Sequence, residues 1–160
     1  MIKRLRIGSD IDQVICDWAN PFFKRFTPKD DTDITRICNQ ILAKDKEFWL
    51  NLPVIRRFEG FEPVLYCTKR SCCKHYSKEW IDNKARYIKG RCDVFIDDSP
   101  KNVIQMNRSG VPTLLMDTPY NQDFGPILRI HTLDYDEIED VYNLALEMNI
   151  FKEFKLYYDC

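Results

Sequence analysis

Five short apolar runs, each ending in polar residues, constrain this chain more than any other feature. They are "RLRIGSD" (4–10), "PVLYCT" (63–68), "DVFID" (93–97), "PTLLMD" (112–117) and "LRIHT" (128–132). Runs of this length with turn residues at their ends read as strands. Helical stretches lie between them. "SKEWIDNKARYI" has Ser77 as a cap; "SPKNVIQMNRSG" has Ser99 as cap, Pro100 at the first helical position and Gly110 past its end. "DYDEIEDVYNLALEM" supplies a terminal helix. Such alternation predicts an α/β fold, a parallel sheet with helices on both faces.

The region from about Trp18 to Gly60 breaks the pattern. It holds Trp18, Phe22, Phe23, Phe26, Phe48 and Trp49, is rich in charge, and has no convincing strand. It reads as a helical insertion (18–60) after the first strand of a single domain spanning 1–160. With 160 residues, 44% of them hydrophobic, the chain suits one domain with a substantial core.

A net charge of −1, from 24 basic and 25 acidic residues spread along the chain, gives no polycationic tail and no strong nucleic-acid signal. The amino terminus has too short an apolar run for a signal peptide, and no later segment reaches the length of a membrane span. A soluble, cytoplasmic protein is expected. Its seven cysteines are odd in number and irregularly spaced, which argues for reduced thiols over a disulfide scaffold. The cluster of Cys67, Cys72, Cys73 and His75 lacks the C-x-x-C pair usual in structural zinc sites and reads as buried or incidental thiols.

Ligands of open parallel sheets bind at the carboxyl ends of the strands, where the strand order reverses. Three predicted strands end there in reactive groups: Asp10 and Asp12 in "DIDQV", Thr68 in "YCTKR", and Asp97 and Asp98 in "IDDSP". Side chains alternate along an extended strand, so Asp10 and Asp12 are expected on one side, where their charges repel. A cation or a proton must settle that repulsion. Acids around one crevice make a hard oxygen site, and Mg2+ fits a few carboxylates plus phosphate oxygens. Each acid alone is an ordinary strand-terminal turn residue; the ordered set is not.

These residues resemble the haloacid dehalogenase-like (HAD) phosphatases, whose four motifs run Asp-x-Asp, Thr or Ser, Lys, and an acidic pair. Here they fall on "DIDQV", "CTKR", a lysine of "NKARYIKG", and "FIDDSP", over nearly the whole chain. "KEFWLNLPVI" (46–55), "DVFIDDSPKNV" (93–103) and "GVPTLLMDTPYN" (110–121) are similar to segments of the cytosolic type C 5′-nucleotidases, or 5′(3′)-deoxyribonucleotidases, and their bacterial and phage relatives. The resemblance implies a three-layer Rossmann-like sheet with a small helical cap, and a Mg2+-dependent phosphomonoesterase. Asp10 would be the nucleophile that forms an aspartyl phosphate, and Asp12 the general acid and base. Thr68 would hold a phosphoryl oxygen. Mg2+ would sit on the Asp10 carboxylate, the Asp12 backbone carbonyl and Asp97, with Asp98 beside it.

The lysine is Lys84 or Lys89, thirteen and eight residues before Asp97; relatives place it near the start of the preceding helix, which favours Lys84. Only 29 positions separate Thr68 from Asp97, so a strand that relatives carry there is expected to be missing. Gln13 stands where relatives often have a small residue such as glycine. Lys69 and Arg70 add charge beside the phosphate, which strengthens binding of a dianion, or they face solvent. Phe48, Trp49 and Trp18 are candidates for stacking on a base or for forming the cap's own core. The expected substrate is a nucleoside 5′-monophosphate; another small phosphomonoester, a nucleic-acid 3′ end, or nucleotide binding without catalysis stays open. So does a homodimer.

Overall fold

The computed structural model describes residues 4–67, 80–126 and 128–156. Five strands form one parallel sheet in the order β2-β1-β3-β4-β5: β1 Ile7–Ser9, β2 Leu65–Tyr66, β3 Val94–Asp97, β4 Thr113–Met116 and β5 Arg129–Ile130. Each falls inside one of the five predicted runs and is shorter than it. No strand is described between β2 and β3, although residues 68–79 lie outside the described residues. The sheet is α/β and compatible with a three-layer Rossmann-like arrangement.

Every residue of β3 and β4 is buried, as expected where helices cover both faces of a parallel sheet. Alternation along β3 separates two cores. Val94 and Ile96 join a cluster with Ile7, Leu114, Met116 and Ile138, the last from helix α6 (Tyr135–Glu147). Phe95 joins Ala85, Ile88, Met106 and Val111, supplied by α4 (Trp80–Ile88) and α5 (Pro100–Arg108) with the turn that follows. Helix α6 starts as predicted, with the Asp134 carboxylate accepting from the Asp136 and Glu137 amides. At α5 the structure differs. Ser99 occupies the cap position with Pro100 next, but its hydroxyl makes no capping bond. Its own N–H is turned onto Asp97 instead.

Between β1 and β2 the chain forms α1 (Ala19–Arg25), α2 (Asp31–Gln40), a 3-10 turn (Leu42–Lys44) and α3 (Lys46–Leu50). Asp30 and Asp45 cap α2 and α3. The short helices bury their apolar sides against one another around Phe22, Ile37 and Leu42. Marginal helices of this length need such packing to persist. The insertion leaves and returns through an antiparallel pairing of Cys16 with Val54, with Ile55 N–H bonding Ile15 at 2.7 Å. It therefore emerges at the carboxyl end of β1.

Gly8 in β1 owes its small size to groups outside its own strand. A Cβ there would lie 2.9 Å from Phe95 Cδ2 and 3.1 Å from Cys92 Sγ. Gly8→Ala is expected to destabilise by about 1–3 kcal/mol, measured by urea denaturation, because a fully buried ring has to move. An unchanged midpoint would show that Phe95 has room to spare.

A final helix, α7 (Ile150–Leu156), follows α6. Among the described residues, Cys16, Cys38, Cys67 and Cys92 form no disulfide. No helix among the described residues is long and apolar enough to cross a membrane.

Candidate active site

From β1 the chain passes to β2 on one side and then to β3 on the other, so the order reverses between the carboxyl ends of β1 and β3. That is where a parallel sheet opens a crevice. Asp10 is held there by its backbone, since its N–H continues the ladder onto the Ile96 carbonyl at 2.9 Å. Asp97 ends β3, and Asp98 follows it.

Asp10, Asp97 and Asp98 place carboxylate oxygens within 4.8 Å of one another. Asp10 is 6% exposed and Asp97 not at all; Asp98 is half-buried. Among them lies the ammonium of Lys84, 1% exposed, donating to Asp10 Oδ2 at 2.8 Å and to Asp97 Oδ2 at 2.6 Å. Its Nζ also stands 5.1 Å from the centre of the Phe95 ring, the ring that Gly8 leaves room for. A lysine this deep persists only when charges surround it. Burial alone would lower its pKa, but Asp97 and Asp10 outweigh that and raise it. Lys89, the alternative, is exposed and donates to the Ser109 carbonyl at 3.3 Å.

The two acids after β3 differ. Asp97 is already satisfied: besides Lys84, the Ser99 N–H and the Asn102 amide each reach its Oδ1 at 3.0 Å. Asp98 accepts from the Tyr120 hydroxyl on Oδ2, and its side chain is the more open of the pair. Asp10 Oδ1 takes the Ile11 N–H at 2.7 Å.

Asp12 does not extend the strand. β1 stops at Ser9, and Ile15 and Cys16 N–H both fold back onto the Ile11 carbonyl. Asp12 thus sits in a turn, outside the group of three carboxylates, yet near enough for its charge to push Asp10 upward. Alternation along an extended strand, the ground on which the two acids were expected on one side, therefore does not run from Asp10 to Asp12. Gln13, next in the turn, has φ +61°. A non-glycine residue there carries about 1 kcal/mol of strain, which explains why glycine suits the position. Arg56 holds the turn from the far side, donating to the Gln13 carbonyl at 2.9 Å and to the Asp117 carbonyl at 2.8 Å.

Trp18, Phe48 and Trp49 pack on the insertion's own cluster. Phe48 and Trp49 meet edge to face at 4.7 Å, and the Trp49 indole N–H donates to the Leu42 carbonyl at 2.7 Å. Thr68, Lys69 and Arg70 lie outside the described residues, as do Cys72, Cys73, His75 and Ser77. Gly8, Arg56, Asn102 and Tyr120 were not singled out by the sequence. Gly8 alone carried a signal, as a glycine inside a strand marks a close approach.

Among the described residues, three clustered acids and one buried ammonium that pairs with two of them leave an excess of negative charge. Burial pushes the Asp10 carboxyl up to about 7, against the pull of Lys84 and with Asp97 adding to the rise. Burial likewise raises Asp98, helped by Asp97 and Asp10. The hard oxygen set and its charge excess suit a divalent cation.

A raised carboxyl has a definite sign for stability. From about pH 4 to 7 folded Asp10 keeps a proton that the unfolded chain has released, so its contribution is greatest in acid and is lost as pH rises through 7. In chelator, melting temperature is expected to fall by about 5 °C or more between pH 5 and pH 8, and a divalent cation should flatten the slope. A rise over that range would contradict the charge excess. Compared with known proteins, the chain matches no family model, no curated protein and no solved structure at a significant level.

Proposed function

We propose that this protein is a Mg2+-dependent phosphomonoesterase of the HAD type, working through an aspartyl phosphate on Asp10, with nucleoside or deoxynucleoside monophosphates as its leading substrates. The observation that carries the reading is the buried Lys84 ammonium bridging Asp10 and Asp97 beside a third carboxylate. A phosphomonoester is a dianion, and a carboxylate can approach it only where fixed positive charge offsets the repulsion. Mg2+, held by Asp10, Asp98 or Asp97 and the Asp12 carbonyl, would supply that charge and polarise a phosphoryl oxygen.

The chain's residues divide the remaining work. An Asp10 oxygen attacks phosphorus and the bond to the leaving alkoxide breaks. Asp12, in the adjoining turn, gives that alkoxide its proton. Asp12 then takes a proton from the water that hydrolyses the acyl phosphate, and Asp10 is restored. Lys84 carries the growing phosphoryl charge while Asp97 keeps it in place. Thr68 would bind a further phosphoryl oxygen. The emergence of the insertion at the carboxyl end of β1 supports its role as a cap over the substrate.

A phosphate-release screen over nucleotides and sugar phosphates, with Mg2+ and with chelator, tests the reading. Turnover of nucleoside monophosphates that is lost in chelator and restored by Mg2+ is expected. Full activity in chelator would overturn the metal's part. Preference for another phosphomonoester would retain the chemistry and replace the substrate. If Trp49 stacks on the base, Trp49→Ala should weaken nucleotide turnover beyond aryl phosphate turnover by about 1–3 kcal/mol. Equal losses would assign the ring to packing alone.

A further inference from the structure

The turn after β4 grips Asp98 at two points, and it lies apart from the residues given a chemical role above. The Tyr120 hydroxyl donates to Asp98 Oδ2. The Asn121 side-chain amide donates to the Asp98 backbone carbonyl at 2.9 Å and to the Met116 carbonyl at 2.8 Å. Its Oδ1 accepts from Thr118 N–H at 3.2 Å and from Arg129 Nη1 at 2.7 Å. Arg129 also donates to the Asn121 backbone carbonyl at 2.8 Å and to the Asp117 carboxylate at 2.5 Å.

Asn121 is 3% exposed, and all of its side-chain capacity is used. Turned over, its oxygen would face two carbonyls and its amino group would face an N–H and a guanidinium. Only one orientation is therefore tolerable. A buried, fully committed amide of this kind fixes the two segments it joins, here the end of β4 and the backbone of Asp98. Arg129, with its side chain 8% exposed, fixes the amide in turn.

We propose that Asn121 and Tyr120 are positioning residues that hold the Asp98 carboxylate in place to receive a divalent cation, Asn121 through the backbone and Tyr120 through the side chain. The inference rests on the metal reading above. It assigns the Thr118–Asn121 turn to cation affinity, not to contact with the substrate. Partners of this kind commonly contribute 10- to 100-fold to metal affinity.

The test is Mn2+ binding to the purified protein without substrate, followed by loss of the free-ion electron paramagnetic resonance signal and paired with thermal melts in chelator. Asn121→Ala should weaken Mn2+ binding about 10- to 100-fold. Tyr120→Phe, at a largely exposed ring, should weaken it by a smaller factor, about 3- to 10-fold, and leave the chelated melting temperature unchanged. Should Asn121→Ala fail to fold, Tyr120→Phe decides. Wild-type affinity in either folded variant would overturn the inference while leaving the metal reading intact. No Mn2+ binding by the wild type would instead overturn the metal reading, and this inference with it.

Discussion

Lys84→Met is expected to lose both the fold's margin of stability and the activity, and to lose the first most at high pH. Methionine nearly matches lysine in volume, so little packing is sacrificed. What goes is the ammonium that bridges Asp10 and Asp97, at 2.8 and 2.6 Å. Removing one partner of a buried ion pair leaves the other uncompensated, at a cost of about 3–5 kcal/mol. That is a large share of a typical folding free energy of about 5–15 kcal/mol. At pH 5 a proton on Asp10 relieves part of the loss, since this carboxyl already sits near 7 with the lysine present. Urea denaturation at pH 5 and 8 checks the sign. Phosphate release should fall at least about 10²-fold, in line with the loss of a charge aimed at the transition state. Wild-type stability at pH 8 would show that Lys84 is not the counter-ion of these acids.

Asp10→Asn is expected to move activity and stability in opposite directions. The proposed nucleophile is gone and an amide cannot take its place, so turnover should vanish with every substrate. The chelated protein should nevertheless gain about 1–3 kcal/mol at pH 8, because the amide removes a buried charge that the site disfavours. The same substitution should flatten the melting curve between pH 5 and 8. Sites that gather like charges store this kind of strain. A variant both inactive and less stable at pH 8 would mean that Lys84 already balances Asp10.

Strands β1, β3 and β4 were legible because buried parallel strands are continuous apolar runs, and the edge strands β2 and β5 also fall inside predicted runs. Their ends were not. The alternation rule assumes an extended strand through Asp12, but β1 ends at Ser9 and residues 13–15 turn the chain back onto the Ile11 carbonyl. The Asp97–Asp98 pair was visible as sequence, whereas its division of labour was not. Asp97 is consumed by Ser99, Asn102 and Lys84, and that follows from the start of α5 meeting α4 in space. Ser99 shows the same limit: the cap position is correct, but the neighbouring carboxylate takes its N–H. Lys84 stood out only through resemblance to a known motif. The contacts of Arg56, and that of Asn121 with Asp98, were not foreseen, because they reach backbone carbonyls 23 to 61 residues away in the chain.

The central claim is that Asp10 carries phosphate covalently, and rapid quenching with an aryl phosphate tests it most directly. In Asp12→Ala the first step should survive, because an aryl leaving group needs little protonation. Hydrolysis of the intermediate, which needs Asp12 to activate water, should slow by about 10²- to 10⁴-fold. The predicted result is a burst of aryl alcohol near one equivalent per enzyme, with an acid-stable phosphate that maps to the peptide containing Asp10 and is absent in Asp10→Asn. A burst-free time course with no phosphate on the protein, as a water attacking phosphorus directly would give, would contradict the account.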